Sequence, residues 1–312
     1  MRPQYNTEEL IKTIKRACSV PTSQLTYTDV DWAALANDIL QTTVVPLMMS
    51  TREDYFVTHE DIVSTADGII PFPENAVGSK LRNVCYISQE NPLILINLPR
   101  IDIDVVAGVG FYNNWTLAGF YVEGENLVLY PNTSVPVNTP IRLYLYRRTL
   151  YLAEPAQYGQ VQSVDLMTGT IVLDFLPYDW AIGTEINAVG SQPNFSITNE
   201  LATITGVSSP SIIVDDATGI SVGDYISQVG YSAVPQIPIE AHNYLAQLTA
   251  AKALEGLGDR DGMKAAYEEA EKLKTSLLIM VSQRVDGSIK KVINPTGGLR
   301  VSSGTWRRGW GW

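Results

Sequence analysis

The spacing of apolar residues changes twice along this chain of 312 residues. Near both ends they recur every three or four residues, which is the period of an amphipathic helix. In the middle they alternate with polar residues in short runs, separated by Gly, Pro and Asn, which is typical of antiparallel strands. The sequence therefore predicts an α+β protein whose helices come from the two ends of the chain.

Two helices are predicted in the N-terminal part. The first, NTEELIKTIKRAC, has Asn6 in the capping position and Glu9 three residues later. The second lies in TYTDVDWAALANDILQTTVV, with Thr28 as its cap and an apolar stripe that includes Trp32. Because proline cannot donate a backbone hydrogen bond, Pro46 is expected to break or kink this helix near Val45.

Short β-branched or aromatic runs fill the chain beyond about Tyr55. They include VCYIS, LILINL, IDIDVV, NLVLY and IRLYLYRR. The segment GQVQSVDLMTGTIVLDF predicts a β-hairpin, because two alternating runs flank the turn residues 167–170. No fixed-period repeat is recognisable, which disfavours a solenoid or a propeller.

Two further helices are predicted near the C-terminus. PIEAHNYLAQLTAAKALEGLGD has Pro238 near its start and Gly258 in the position of a C-terminal cap. RDGMKAAYEEAEKLKTSLLIMVSQR follows after a tight turn. Two long amphipathic helices joined by a short turn are expected to form an antiparallel hairpin.

These elements predict a helical bundle of N- and C-terminal helices with an inserted antiparallel β-rich domain and an extended C-terminal arm. The expected boundaries are an N-terminal helical part (1–64), the β-rich insertion (65–236), the helical hairpin that completes the bundle (237–292), and the arm (293–312). Insertions are tolerated where the two ends of the inserted domain lie close together at the surface. Two separate helical lobes flanking the strands are the alternative.

Composition and motifs argue against catalysis. The chain carries 22 basic and 33 acidic residues, a formal net charge of −11, so most of its surface is expected to repel nucleic acid. It contains no Walker loop, GxSxG or HExxH motif, and its two cysteines and two histidines form no recognisable pattern.

No apolar run approaches the roughly 18 residues of a membrane span, and the N-terminus lacks the apolar stretch of a secretory signal. The sequence therefore predicts a protein that is not an enzyme and that uses no cofactor or metal. A hydrolase with carboxylates outside any motif, such as Asp102 and Asp104, stays open as a minor alternative.

The last fourteen residues, LRVSSGTWRRGWGW, form a cationic aromatic segment on an acidic protein. Tryptophan and arginine are the residues most enriched at binding hot spots. The segment is therefore expected to dock on another protein, with phosphate or membrane binding as the second interpretation. Its candidate partner-binding residues are Leu299, Arg300, Trp306, Arg307, Arg308, Trp310 and Trp312.

Three stretches of the chain resemble head-to-tail connector (adaptor) proteins of tailed bacteriophages, especially the short-tailed ones. They are ALANDILQTTVVPLMMSTREDYFVTHEDI, IPFPENAVGSKLRNV and AHNYLAQLTAAKALEGLGDRDGMKAAYEEAEKLKTSLLIMVSQRVDGSIKKV. The resemblance covers mainly the helical parts. The central strand-rich region departs from the small all-helical members of this family.

The resemblance implies a structural virion protein at the head-tail junction, made in the host cytoplasm. Its expected partners are the portal protein, a downstream tail or nozzle protein, and further copies of itself in a ring of twelvefold symmetry. Packaged DNA is expected to pass through the lumen without sequence-specific binding, and no membrane is involved. The C-terminal arm is expected to lie on the portal surface, with its three tryptophans as anchors and Arg307 and Arg308 as polar contacts.

A different class of function stays open for the β-rich region. Its aromatic residues near GFYNNWTLAGFY, namely Tyr112, Trp115, Phe120 and Tyr121, could stack on sugar rings in a tail or surface module that binds carbohydrate or a receptor. Ordinary packing between strands is the simpler interpretation of the same residues.

Overall fold

The structure is a computed structural model. It describes residues 5–19, 26–89, 91, 93–102, 119–130, 137–191 and 197–282. Residues 1–281 form one compact unit. The second unit begins at Ser282, which is its single described residue.

The helices lie at the two ends of the described chain. The N-terminal ones are α1 (Thr7–Ala17), α2 (Asp29–Ile39), a π-helical turn (Leu40–Val44), α3 (Val45–Thr51) and a 3₁₀ turn (Glu53–Phe56). The C-terminal ones are α4 (Ile239–Leu257) and α5 (Arg260–Val281).

The predicted caps of these helices are confirmed. The side chain of Asn6 accepts a hydrogen bond from the backbone amide of Glu9 at 3.0 Å. Thr28 and Asp31 form a reciprocal capping box at the start of α2. Gly258 ends α4 with φ of 79°, a left-handed conformation that glycine adopts without steric penalty.

The predicted interruption at Pro46 takes the form of a π-helical turn. Residues Leu40–Val44 form this wider turn, and α3 then continues through Pro46 to Thr51. Because proline lacks an amide hydrogen, the ordinary helical hydrogen bond cannot form there. A π turn next to it lets the chain continue in helical form.

Strands occupy the chain between the two helical ends. The first group is β1 (Val57–Val63), β2 (Ile69–Pro71), β3 (Ala76–Gln89), β4 (Ile94–Asn97), β5 (Gly119–Glu123), β6 (Asn126–Tyr130) and β7 (Pro140–Arg147). The second group is β8 (Tyr151–Leu152), β9 (Tyr158–Asp165), β10 (Thr170–Leu173), β11 (Glu185–Val189), β12 (Ile197–Ser208), β13 (Ser211–Val214), β14 (Tyr225–Gln228) and β15 (Tyr231–Ser232).

Most of these strands pair antiparallel. One sheet has the order β1-β7-β3-β4, and a smaller sheet has the order β2-β6-β5. Strands β10, β13, β12, β11, β14 and β9 close into a barrel, and β8 pairs with β15 in parallel. The predicted hairpin at residues 159–175 is confirmed as β9 and β10, with Thr170 opposite Asp165.

The barrel encloses a packed apolar core. Ile171, Ile204, Ile212 and Ile226 are fully buried in it, and Trp180 packs at its margin. A barrel of this size fills its interior with side chains, so it provides a rigid support for its loops.

The predicted fold class is wrong. Antiparallel sheets dominate the protein and the helices are the smaller part, so it is not a helical bundle with an inserted β-rich domain. The N-terminal helices depend on the strand region for their polar contacts. Asn37 of α2 exchanges two side-chain hydrogen bonds with the backbone of Leu152 in β8, and the amide of Thr7 donates to the carbonyl oxygen of Ala233 at 2.8 Å. These hydrogen bonds attach α1 and α2 directly to the strand region.

A glycine substitution tests the packing of the barrel turns. Gly219 has φ of 82°, and a Cβ atom there would lie well inside van der Waals contact with the carbonyl oxygen of Thr198. We expect Gly219→Ala to lower the free energy of unfolding by about 2 kcal/mol or more, since strain and a backbone clash combine. Gly223→Ala is the control, because Gly223 also has positive φ but open space around its Cβ position. Urea denaturation should rank Gly219→Ala as the more destabilised variant. Equal losses of unfolding free energy in the two variants would contradict the close approach of Gly219 to the carbonyl oxygen of Thr198.

Candidate functional site

The predicted partner-binding residues lie outside the described part of the chain. They are Leu299, Arg300, Trp306, Arg307, Arg308, Trp310 and Trp312. Their assignment to a docking segment stays a prediction.

Of the four aromatic residues considered for sugar stacking, the structure describes Phe120 and Tyr121. Phe120 is only 6% exposed and belongs to the core beneath β5 and β6, while Tyr112 and Trp115 lie outside the described residues. Tyr121 borders a depression of about 350 Å³ whose other lining residues are Arg100, Ile101, Asp102 and Val122. Phe120 therefore acts as a packing residue.

The basic pair at the end of β7, Arg147 and Arg148, is divided between the interior and the surface. Arg147 is buried. Arg148 is exposed, and its backbone amide donates to the carbonyl oxygen of Asn75 at 2.7 Å. These two neighbouring cations therefore do not form one exposed basic patch.

The cysteines and histidines lie on separate elements. Cys18 and Cys85 are free and buried, and burial raises the pKa of the Cys18 thiol to about 11, which disfavours the reactive thiolate at neutral pH. His59 lies in β1 and His242 in α4. Within the described ranges, no group of three or more His, Cys, Asp or Glu residues is arranged to hold a metal ion.

Acidic side chains in two turns accept hydrogen bonds from the backbone. Asp215 accepts from the amide of Thr203 at 2.6 Å, and Asp216 accepts from the amide of Thr218 at 2.8 Å. These hydrogen bonds lower the pKa of both carboxyl groups. Asp259 likewise accepts from the amide of Gly262 at 3.0 Å at the start of α5. These carboxylates therefore act as turn and helix-boundary residues.

The outer face of α5 carries a shallow, mainly apolar depression. It is lined by Arg260, Asp261, Met263, Lys264, Tyr267, Glu268, Glu271 and Lys272. The opposite face of α5 packs against α4 through Ala266, Ala270 and Leu277. The helix thus has one face in the core, against which Met263 also packs, and a second face on which Tyr267 is exposed.

One end of the barrel presents a cluster of exposed apolar side chains that sequence reasoning missed. We call this cluster the aromatic edge. It consists of Tyr151, Tyr178, Ile182, Val229 and Tyr231. A signal for it is present in the sequence, because residues 149–251 contain ten acidic residues and no lysine or arginine. A stretch that lacks cations and exposes tyrosine differs from an ordinary solvated surface.

Backbone contacts position the aromatic edge. The amide of Val229 donates to the carbonyl oxygen of Glu185 at 3.1 Å, and the amide of Tyr151 donates to that of Gly230 at 3.0 Å. The rings of Tyr151 and Tyr231 lie 6.3 Å apart on the paired strands β8 and β15. These bonds tie the β14–β15 connection to β11 and to β8, so Tyr151, Val229 and Tyr231 stand on a fixed support.

Comparison with known proteins gives no family assignment. No family model matches the chain. A search of curated proteins also gave no significant match. In the part of the chain that the structure describes, no helix is both long and apolar enough to cross a lipid bilayer.

Burial of His242 predicts a pH-dependent stability. Its ring packs edge-on against Tyr5 at 5.7 Å, and burial lowers its pKa from 6.5 to about 4. Between these values the unfolded chain binds a proton that the folded protein does not, so stability falls as pH drops from about 6.5 towards 4. The loss attributable to this group reaches about 3 kcal/mol at pH 4. We expect His242→Gln to show a weaker decrease of the free energy of unfolding over this window, measured by urea denaturation. Equal slopes in the two proteins would contradict this assignment.

Proposed function

We propose that this protein is a structural subunit of the head-to-tail connector of a tailed bacteriophage. In this proposal, copies of the chain form a ring of twelvefold symmetry beneath the portal and continue the DNA channel. The protein acts at the head-tail junction of the virion after synthesis in the host cytoplasm. It joins the portal to a downstream tail or nozzle protein and has no enzymatic role.

One observation carries the proposal. Two of the three segments that resemble connector proteins, although far apart in sequence, contribute to a single hydrophobic core. Helix α2 packs against α4, and α4 packs against α5. Fully buried side chains from these two segments include Ala36, Leu40, Leu245 and Ala250. The residues that carry the resemblance therefore support one another in space.

The charge of the chain supports the proposed passage of DNA. Each copy has a formal net charge of −11, and a ring multiplies that charge around its lumen. Acidic surfaces repel the phosphate backbone and lack the lysine and arginine contacts that hold DNA non-specifically. A connector of this composition lets DNA slide past without adhering.

The arm supplies the proposed portal contact. Trp306, Trp310 and Trp312 are the anchors, and Arg307 and Arg308 donate to acidic or carbonyl groups of the portal. Glycines at positions 309 and 311 separate the anchors, so each indole ring can occupy its own pocket. The portal recognised is the one encoded by the same phage.

Mixing the purified full-length protein with that portal tests the proposal. Co-assembly is expected over a range of salt concentrations, detected by sedimentation velocity as a complex larger than either component. The portal of an unrelated phage is the matched control and should remain uncomplexed. Failure to co-assemble with the cognate portal at every salt concentration would overturn the proposal.

A further inference from the structure

Two side chains of the aromatic edge are exposed over most of their surface. Tyr178 is 91% exposed and Ile182 is 71% exposed, although both lie on a connection held by the barrel. The amide of Gly183 donates to the carbonyl oxygen of Ile204 at 2.8 Å, and the hydroxyl of Thr184 accepts from the amide of Ala181 at 3.1 Å. Exposed apolar side chains on a rigid support are typical of a protein-binding site.

Three acidic residues lie on the same segments as the edge. Asp174 and Asp179 lie on the β10–β11 connection, and Glu185 begins β11. The side-chain amide of Gln228 donates weakly to Asp179 at 3.5 Å, and the carboxylate of Asp174 accepts from the backbone amide of Gln160 at 2.6 Å. Among the described residues, none of these three carboxylates forms an ion pair. Their charges are therefore available to a cationic partner.

The combination of tyrosine rings and carboxylates selects the chemistry of the partner. A guanidinium group stacks on an aromatic face and donates paired hydrogen bonds to a carboxylate, so arginine satisfies both features at once. An apolar side chain beside it can cover Ile182 and Val229. An acidic ligand or DNA is disfavoured by the same charges.

We propose that the aromatic edge is a docking site for a partner polypeptide that presents arginine side chains beside apolar ones. The charge complementarity of the edge determines this occupant, and the packed barrel core holds the site in its binding geometry. The site lies on residues 151–231 and is separate from the predicted C-terminal docking segment. It does not depend on the connector function, since it follows from exposure and charge alone.

Binding of synthetic peptides to the full-length protein tests this site. Three labelled peptides of equal length are compared by fluorescence anisotropy: one with arginine and leucine, one with arginine and glycine, and one with glutamate and leucine. The arginine–leucine peptide is expected to bind at least about tenfold more tightly than either of the others, since both recognition elements are needed. Its affinity should decrease as salt rises, because the carboxylates contribute.

Paired variants locate the site. Tyr178→Ser with Ile182→Ser should weaken binding of the arginine–leucine peptide at least about tenfold. Leu166→Ser with Met167→Ser is the matched control, because these residues are also highly exposed but lie on the turn at the other end of β10. Circular dichroism verifies that both variants are folded.

Several results would overturn the proposal. They are absence of binding by the arginine–leucine peptide, equal binding by the glutamate–leucine peptide, or an equal loss in both variants. Self-association of the protein that disappears only in Tyr178→Ser with Ile182→Ser, without peptide binding, would assign the edge to a second copy of the chain instead.

Discussion

A chain that lacks residues 299–312 is expected to lose at least about a hundredfold in affinity for its portal protein. Buried tryptophan and arginine anchors each contribute about 2 kcal/mol or more at a typical interface, and 1.4 kcal/mol corresponds to a tenfold change in affinity. The deleted segment, residues 299–312, contains three tryptophans and three arginines. Surface plasmon resonance with immobilised portal protein, titrated with the full-length and the truncated chain, measures the two dissociation constants.

Two further variants separate the anchors from the length of the segment. Replacing Trp306, Trp310 and Trp312 with alanine should reproduce most of the loss. Replacing Ser302, Ser303 and Thr305 with alanine changes the same segment at positions that lack the anchor chemistry, so its affinity should stay near that of the original protein. The far-ultraviolet circular dichroism of all variants is expected to match. Unchanged portal binding by the truncated chain would remove this segment from the mechanism.

The substitution Trp32→Ala is expected to cost about 3–5 kcal/mol of unfolding free energy, the range measured for removing a large buried aromatic side chain. Trp32 is fully buried in the helical core and lies with its ring 5.0 Å from that of Tyr27. A loss of this size is a large fraction of the total free energy of unfolding of many proteins. Thermal and urea unfolding should both show the effect.

Trp32→Phe is the control for this prediction. Within the described residues, the indole Nε1 of Trp32 has no hydrogen-bond partner, so phenylalanine removes an unsatisfied polar group while it retains most of the apolar contact. Its cost should be clearly smaller than that of Trp32→Ala. Similar small losses in both variants would show that this tryptophan does not organise the helical core.

Local features of the fold were predictable from sequence because they depend on neighbouring residues. The caps at Asn6 and Thr28 need one side chain and an amide three residues away, and Gly258 ends α4 because its backbone is left-handed. The hairpin at β9 and β10 follows from alternation around a turn. Each of these signals lies within a short window of the chain.

The arrangement of the strands was not predictable in the same way. Strand β7 lies between β1 and β3 although it follows both in sequence, and β9 closes the barrel against β14. Alternating patterns define strands but do not select their partners. The dependence of α2 on β8 through Asn37 is equally non-local, and for that reason a separate helical bundle was the wrong expectation.

Sequence reasoning on the sites gave a mixed outcome. It missed the aromatic edge, because Tyr151, Tyr178 and Tyr231 come together only through the barrel and the β8–β15 pair. The anchors at 306, 310 and 312 lie outside the described residues, so their role stays a prediction.

Electron microscopy of the protein assembled with its cognate portal tests the connector proposal most directly. The expected image is a ring of this protein stacked beneath the portal, with twelvefold symmetry and an open central channel. Labelling at residue 312 should place the C-terminal segment on the portal surface. Particles in which the protein is absent from the portal, or lies at the outer surface of the tail, would contradict it.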